Sequence, residues 1–252
     1  AAVIEIQGVI APEAKASAER INKALRKAFA ADHAKAVILD INSPGGSPVQ
    51  AGLIYNEIRR LREKHPDKSI YAVAADTCAS AAYYIASAAD EIHVNSASLV
   101  GSIGVRLDSF GLERAIEELG IQRRLLTAGE HKDILDPFSD FTQWDRDFLQ
   151  SLLDDLHQQF IDAVKAGRGD RLEDNPELFS GLFWTGDRSL DLGLSDGLGS
   201  VDTVARDLVG VEATVDYTQK RDLLERFAEN LGAGAASALV RLGGLDGLPR
   251  LQ

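Results

Sequence analysis

Apolar positions along the chain fall into two alternating patterns: short continuous runs, and longer segments in which apolar residues recur every three to four positions. The short runs predict strands at residues 36–41, 69–75, 90–95 and 122–127. A helical pattern covers residues 48–64, where one face carries Val49, Leu53, Ile54, Ile58 and Leu61. Because strands and helices alternate, we expect right-handed crossovers and a largely parallel sheet, which places the chain in the α/β class.

Capping residues mark the start of two helices. Ser47 followed by Pro48 fits an N-cap and a first-turn proline. Thr142 with Asp145 fits a capping box, which predicts a long helix running to about Gly167. The apolar stripe of that helix consists of Trp144, Phe148, Leu152, Leu156 and Phe160.

Composition narrows the class of protein. A chain of 252 residues that is 45% hydrophobic suits one globular domain, with or without appendages. The net charge of -12 argues against nucleic acid as a partner, because phosphates are neutralised by clusters of Lys and Arg. The single cysteine excludes an internal disulfide, and no apolar run reaches the ~18 residues of a membrane span.

The two ends of the chain give expectations about its organisation. The sequence contains no Met and begins inside a strand-like pattern, so we expect a fragment or processed form whose natural N-terminus is missing. Residues 1–210 are predicted to form the main domain. Residues 211–252 end in a segment rich in Gly, Leu and Ala, and we expect them to pack on a neighbouring subunit.

A pair of glycines follows the strand predicted at residues 36–41. In "LDINSPGGSP", residues 39–48, Gly45 and Gly46 stand just before a capped helix. Backbone N–H groups at such a position can face a cavity and stabilise a developing negative charge. The alternative is a tight strand-to-helix turn that needs positive φ and has no role in chemistry.

A serine lies among small residues after the strand predicted at residues 69–75. In "DTCASAAYYIASAAD", residues 76–90, Ser80 falls at or near a helix start and at the carboxyl edge of the predicted sheet. A hydroxyl at this edge is a nucleophile if a base stands beside it. The alternative is a serine that caps its own helix.

Candidate bases are the histidines and the lysines. His131 and Lys132 lie in the loop "TAGEHKDILDPF", whose position favours a side chain directed into a cleft. A lysine acts as a general base only where loss of water or a nearby cation lowers its pKa, so an ordinary surface lysine is the alternative. His33, His65 and His157 are expected to be solvated, and His93 to lie in a strand. No cluster has metal-ligand spacing, so no metal is expected.

Five ordered blocks resemble the signal peptide peptidase A family of Ser/Lys peptidases, including its SohB-like members. They span roughly residues 3–205 and read "SPGG", "ASAAYYIA", "VGSIGV", "TAGEHKDILDPF" and "FWTGDRSLDLGLSDGLGS". The resemblance implies a crotonase/ClpP-like spiral of ββα units with a largely parallel sheet. It also implies Ser80 as the nucleophile and Lys132, 52 residues later, as the general base. Gly45 and Gly46 would line the oxyanion hole, and Ser102 would hold the lysine.

The function implied by the resemblance is a serine endopeptidase that needs no cofactor and degrades cleaved signal peptides or similar apolar segments. The family is anchored in the bacterial cytoplasmic membrane by an N-terminal helix that this chain lacks, with the catalytic domain on the periplasmic side. Family members with two tandem copies share Ser and Lys between copies. A single-copy chain is therefore expected to form a ring-like homo-oligomer with shared sites.

Two positions depart from the family pattern. Ala81 and Ala82 stand where the family has two glycines after the serine, and Leu182 stands in place of an arginine. Added methyl groups beside Ser80 would narrow its pocket. Two other functions stay open: a scaffold that has kept the same fold without turnover, and an acyl-CoA enzyme of the crotonase type, whose fold the family resembles but whose acidic catalytic residue and adenine-nucleotide site do not stand out in the sequence.

Overall fold

The computed structural model of the protein describes residues 1–219, so most of the extension predicted at residues 211–252 lies outside the described residues. The described strands are β1 Ala2–Gln7, β2 Val37–Ser43, β3 Ile70–Ala79, β4 Glu91–Val94, β5 Leu99–Gly101, β6 Phe183–Thr185, β7 Gly197–Leu198 and β8 Val215–Asp216. The helices are α1 Ala18–Ala30, α2 Pro48–Lys64, α3 Ala81–Ala86, α4 Glu113–Glu118, α5 Gln143–Arg168, α6 Gly186–Asp191 and α7 Val201–Thr203.

All eight described strands belong to one sheet, whose main path runs β6-β5-β3-β2-β1-β8. Every pairing is parallel except that of β5 with β6. Strand β3 forks on one side, because its residues 71–74 pair with β4 and its residues 77–79 pair with β5. Strand β4 continues to β7. The predicted α/β class with a largely parallel sheet is therefore confirmed.

The core lies between the sheet and the helices α1 and α2. Amphipathic spacing on α1 buries Ile21, Leu25 and Phe29, and the inner face of α2 buries Ile54, Ile58 and Leu61. The central strands contribute fully buried aliphatic side chains to the same cluster. This rigid layer carries the ends of β2, β3 and β5, which emerge at one edge of the sheet.

Most predicted elements have the expected boundaries. Helix α2 begins at Pro48, and the Ser47 side chain accepts a hydrogen bond from the N–H of Gln50. Helix α5 begins after Thr142, and Thr142 and Asp145 form the predicted capping box. The strands predicted at residues 36–41, 69–75 and 90–95 correspond to β2, β3 and β4.

Two expectations are wrong. Residues 122–127 form no strand, because they lie exposed and have no neighbouring strand with which to form a ladder. The stripe of α5 is buried only at Phe160. Its other members remain between 37% and 46% exposed, namely Trp144, Phe148, Leu152 and Leu156. The helix therefore leaves the core over its first half, which the amphipathic pattern alone did not indicate.

The second half of α5 is anchored by a buried ion pair. Arg168 is only 2% exposed and donates hydrogen bonds to both carboxylate oxygens of Asp196, at 2.6 and 2.9 Å. Asp196 also accepts the N–H of Ile92 at 2.7 Å. Because Ile92 lies in β4, the ion pair fixes the end of α5 to the sheet.

Candidate active site

Ser80 lies at the sharp turn between β3 and α3. Its backbone has φ 53 and ψ -126, a conformation that a residue with a side chain rarely adopts and that costs of order 1–3 kcal/mol. Its side chain makes no capping hydrogen bond to α3. The helix-capping interpretation of this serine therefore has no contact to support it. A strained strand-to-helix turn that exposes a hydroxyl is also the arrangement that presents the nucleophilic serine in enzymes of the α/β-hydrolase fold.

The two glycines lie directly against this turn. A Cβ on Gly45 would lie 2.8 Å from the Cβ of Ser80 and 2.9 Å from the backbone nitrogen of Ala81. A Cβ on Gly46 would lie 2.1 Å from the carbonyl oxygen of Ile10. Both glycines have positive φ, at 103 and 150. Only glycine allows the loop to approach the serine this closely.

Two backbone N–H groups near Ser80 have no acceptor within residues 1–219. One belongs to Gly46, and the other to Ala81, which as the first residue of α3 has no partner inside its helix. The N–H of Gly45, in contrast, donates to the side chain of Ser43 at 3.1 Å. The unpaired N–H groups of Gly46 and Ala81 are therefore better suited to an oxyanion than that of Gly45.

Ser102 follows β5 as Ser80 follows β3. Ala79 and Gly101 are register partners, so the two serines leave neighbouring parallel strands side by side. Ser102 has φ 51, and its N–H donates to the carbonyl oxygen of Leu182 at 2.7 Å. Ser102 therefore lies beside Ser80, and its expected role of holding Lys132 stays a prediction.

These residues line a cavity of about 1140 Å³. Its walls include Ser80, Ser102, Gly45 and Gly46, together with the backbone of Ala81. Most of the remaining side chains are apolar, namely Val9, Val49, Leu53, Tyr84, Leu156, Phe160 and Phe183. The remaining polar lining side chains are Asn56, Arg106, His157, Gln159 and Ser180. The structure thus brings together four of the five predicted site residues.

Lys132, the fifth, does not line this cavity. It is exposed and lies in a segment that we call the arm, residues 106–141, in which no residue is buried. The arm is tied to α5 by His131, whose ring stacks on Trp144 with the centroids 3.7 Å apart. His131 therefore faces the start of α5, and it lines a smaller hollow of about 430 Å³ whose lining does not include Ser80.

Two features of the cavity were missed in the sequence. His157 was expected to be solvated, but it lines the cavity, and its Nε2 donates to the carbonyl oxygen of Ile103 at 3.1 Å. The sequence signal for the place of His157 at the cavity is its position three residues before Phe160, where α5 enters the core. The second feature is the unpaired N–H of Ala81, which the sequence indicated only through the position of Ala81 directly after Ser80.

Two titratable groups close to Ser80 in the sequence, Cys78 and Tyr83, are fully buried. Cys78 is fully buried, and burial raises the pKa of its thiol to about 12. Tyr83 is also fully buried, and burial raises the pKa of its phenol, which donates to the carbonyl oxygen of Leu194 at 2.7 Å. His93 lies in β4 as expected. Within residues 1–219 no group of three or more His, Cys, Asp or Glu residues could hold a metal ion.

Comparison with known proteins places this geometry in a family. A protein-family model described as "Peptidase family S49" matches residues 62–215, which include Ser80, Ser102 and Lys132. Among the curated relatives, a protein of Brucella abortus named as the Na(+)/H(+) antiporter NhaA is 45% identical over 214 residues. That match covers 84% of this chain and 29% of the relative. The antiporter name describes that much longer protein. Among residues 1–219 no helix is long and apolar enough to cross a membrane.

Two further relatives carry the names of proteases. The Synechocystis protein slr0021, named as a candidate protease, is 35% identical over 78% of this chain and 69% of its own length. The chloroplastic serine protease SPPA of Arabidopsis thaliana is 27% identical over 82% of this chain, which spans 30% of that relative. The family match covers more than half of the chain, and the Synechocystis match covers more than two thirds of both sequences. The chain therefore belongs to peptidase family S49.

Proposed function

We propose that the chain is a serine endopeptidase in which Ser80 is the nucleophile and Lys132 is the general base. The observation that carries this proposal is the strained turn that holds the Ser80 hydroxyl at the wall of a large cavity, beside two unpaired backbone N–H groups. A strained conformation at a residue with a side chain persists where the surrounding structure holds it, and such residues concentrate at active sites.

The reaction follows from these groups. The Ser80 oxygen attacks the carbonyl carbon of the scissile peptide, and the neutral amine of Lys132 takes the hydroxyl proton. The N–H groups of Gly46 and Ala81 stabilise the oxyanion. Lys132 then gives its proton to the departing amine as the C–N bond breaks, leaving an ester on Ser80. Water then attacks the ester and gives a proton to Lys132, which passes it to the Ser80 oxygen as the ester C–O bond breaks and the new carboxyl end is released.

In this proposal two copies of the chain are in contact, and Lys132 of one copy reaches the cavity of the other. The arm that carries it exposes large apolar side chains, and contiguous surfaces of this kind mark interfaces. Leu126 is 97% exposed and Phe110 is 81% exposed. Packing this arm on a second copy would bury these side chains and bring Lys132 toward the neighbour's Ser80. Such a contact is head-to-tail, so it forms a ring where the rotation between copies closes and an open filament where it does not, and the proposed assembly is the ring.

The cavity walls support apolar peptide as the substrate. Side chains of α2 and α5, such as Leu53 and Phe160, offer an apolar surface, and the polar lining groups are few. Cleaved signal peptides and similar apolar segments fit this surface. A site of action at the outer face of a bacterial cytoplasmic membrane is part of the same proposal.

The test is cleavage of a fluorogenic apolar peptide by purified variants. Ser80→Ala and Lys132→Ala should each lower kcat by at least about a thousandfold while the circular dichroism spectrum is unchanged. Exposed residues give matched controls. Ser96→Ala and Lys23→Ala should retain wild-type activity. Cleavage that persists in Ser80→Ala would overturn the proposal, and a wild-type protein without cleavage would favour an inactive scaffold.

A further inference from the structure

His157 connects α5 to the segment that follows β5. It lies three residues before the point where α5 becomes anchored by Phe160, whose ring packs 5.1 Å from that of Tyr84. Its Nε2 lies 3.1 Å from the carbonyl oxygen of Ile103. A carbonyl oxygen only accepts hydrogen bonds, so Nε2 carries the proton.

The segment that His157 contacts is itself strained. Gly101 has φ 103 and Ser102 has φ 51, so two successive residues occupy the left-handed region. Such a turn persists where contacts hold it. The N–H of Ser102 donates to the carbonyl oxygen of Leu182 at 2.7 Å, and the carbonyl oxygen of Gly101 accepts from the N–H of Ser80 at 2.8 Å.

The hydrogen bond from His157 is thus the tether between this turn and α5. Ile103 is fully buried, so its carbonyl would lack a partner if the imidazole were removed, and an unsatisfied group would favour rearrangement of the turn. The turn carries Ser102 directly, and it holds Ser80 through the carbonyl of Gly101. A change at residue 103 is therefore transmitted to both serines.

We propose that His157 is a positioning residue of the active site, which fixes the turn of residues 101–104 and thereby the orientation of Ser80. The inference rests on the proposed function of Ser80. It assigns no proton transfer to the imidazole, whose role is to donate from Nε2. This role requires only that Nε2 carry a proton, which the carbonyl acceptor of Ile103 demands.

The kinetic test compares two substitutions of the same residue. His157→Phe keeps the ring but removes the donor, and we expect kcat to fall about tenfold or more with KM within about twofold. His157→Gln retains an N–H donor at a similar reach and should restore kcat to within about threefold of the wild type. Gln158→Leu is the control, because the side chain of Gln158 is exposed and donates to Asp162 within α5. Equal kcat values for His157→Phe and the wild type, or equally low values for both variants of His157, would overturn the inference.

A second measurement does not depend on peptidase activity. Native-state hydrogen exchange reports the N–H of Ser80, which bonds to Gly101, and the N–H of Val37, which bonds to Ser69 in another part of the sheet. In His157→Phe the Ser80 amide should exchange at least about tenfold faster, while Val37 is unchanged. Unchanged exchange at Ser80 would overturn the inference even in an active enzyme. Absence of cleavage by the wild type would instead overturn the proposed function and leave the exchange result to decide the role of His157.

Discussion

The backbone N–H of Ser80 donates a 2.8 Å hydrogen bond to the carbonyl oxygen of Gly101, which ties the turn after β3 to the turn after β5. Ser80 and Ser102 follow residues that pair across these parallel strands, and both have φ near 50. Gly45 fits against the same turn from the end of β2. The candidate site is therefore built by three adjacent strand ends, and its geometry depends first on the main chain.

The glycine loop gives a prediction about stability. Gly46→Ala would place a methyl group 2.1 Å from the backbone oxygen of Ile10, which is held in place by the hydrogen bond it accepts from the N–H of Ser47. We expect a loss of about 3 kcal/mol or more in the free energy of unfolding by urea. Gly52→Ala is the matched control, because a Cβ on Gly52 meets nothing within 4 Å inside α2. That variant should gain about 0.5–1 kcal/mol. Equal stabilities would contradict the close approach.

The apolar cavity wall gives a prediction about substrate binding. Leu53 lines the cavity and is 50% exposed, so Leu53→Asp should alter substrate binding with little effect on folding. We expect KM for an apolar peptide to rise about tenfold, because a carboxylate replaces apolar contact area. Leu198→Asp changes a similarly exposed side chain that does not line the cavity, and it should leave KM unchanged. A preference for charged residues at the cleavage site would contradict an apolar subsite.

The sequence predicted the fold class and part of the candidate site, because both depend on local patterns of residues. The alternation of short apolar runs and helical periods predicted β2, β3, β4 and α2, and the capping residues predicted where α2 and α5 begin. The family resemblance predicted that Gly45 and Ser80 belong to one site, and both line the same cavity at the ends of neighbouring parallel strands.

The remainder required three-dimensional contacts. Residues 122–127 have strand-like composition, but a strand needs a partner, and the described chain provides none for them. The apolar stripe of α5 has the period of a helix, but periodicity does not show which part of a protein covers the stripe, and Trp144 remains exposed in this chain. His157 gained its contact with Ile103 through the path of α5 over the cavity, a tertiary relationship that no local pattern encodes.

Cys78 is two residues from Ser80 and yet should take no part in catalysis. Burial raises its pKa to about 12, so only about one thiol in 10⁴ is ionised at pH 8, and the thiolate is the reactive form. We expect iodoacetamide to leave the native protein unmodified over hours and to alkylate it fully in denaturant, as followed by mass spectrometry. Cys78→Ala should keep Ser80-dependent cleavage. Rapid alkylation of the native protein, or loss of activity in a folded Cys78→Ala, would contradict this prediction.

The anchor of α5 gives a prediction about acid stability. Burial alone would raise the pKa of Asp196, but hydrogen bonds from Arg168 and from the N–H of Ile92 outweigh it and hold that pKa below its usual value. The carboxylate therefore stabilises the fold fully above the pKa of the unfolded chain, about 3.9. This contribution is lost as the pH falls through the lower, folded-state pKa.

We accordingly expect the free energy of unfolding by urea to decrease as the pH falls below about 4. Asp196→Asn should be less stable than the wild type at pH 7, and its stability should vary less between pH 4 and pH 2. Asp191→Asn is the control, because Asp191 pairs with Arg188 at an exposed site, where an ion pair contributes at most about 1 kcal/mol. Parallel pH profiles for Asp196→Asn and the wild type would show that this carboxylate does not carry the acid sensitivity.

The last prediction concerns the separation of Ser80 and Lys132. Ser80 lines the cavity and Lys132 lies on the exposed arm of the same chain, so a shared site between copies would unite them. Inactive Ser80→Ala and inactive Lys132→Ala, mixed under conditions that exchange subunits, should then regain activity, because some contacts join an intact serine to an intact lysine.

In a closed ring whose subunits exchange at random, each contact combines residue 80 of one subunit with residue 132 of its neighbour. About a quarter of the contacts in an equal mixture should therefore contain both intact groups, if symmetry repeats the same head-to-tail contact. Recovered activity should approach that fraction of the wild-type rate and should be absent before exchange. A mixture of Ser80→Ala with a Ser80→Ala/Lys132→Ala double variant is the control, because it has no intact serine. If mass measurement verifies exchange and activity stays absent, or if the active enzyme is a monomer, the two residues do not meet across an interface.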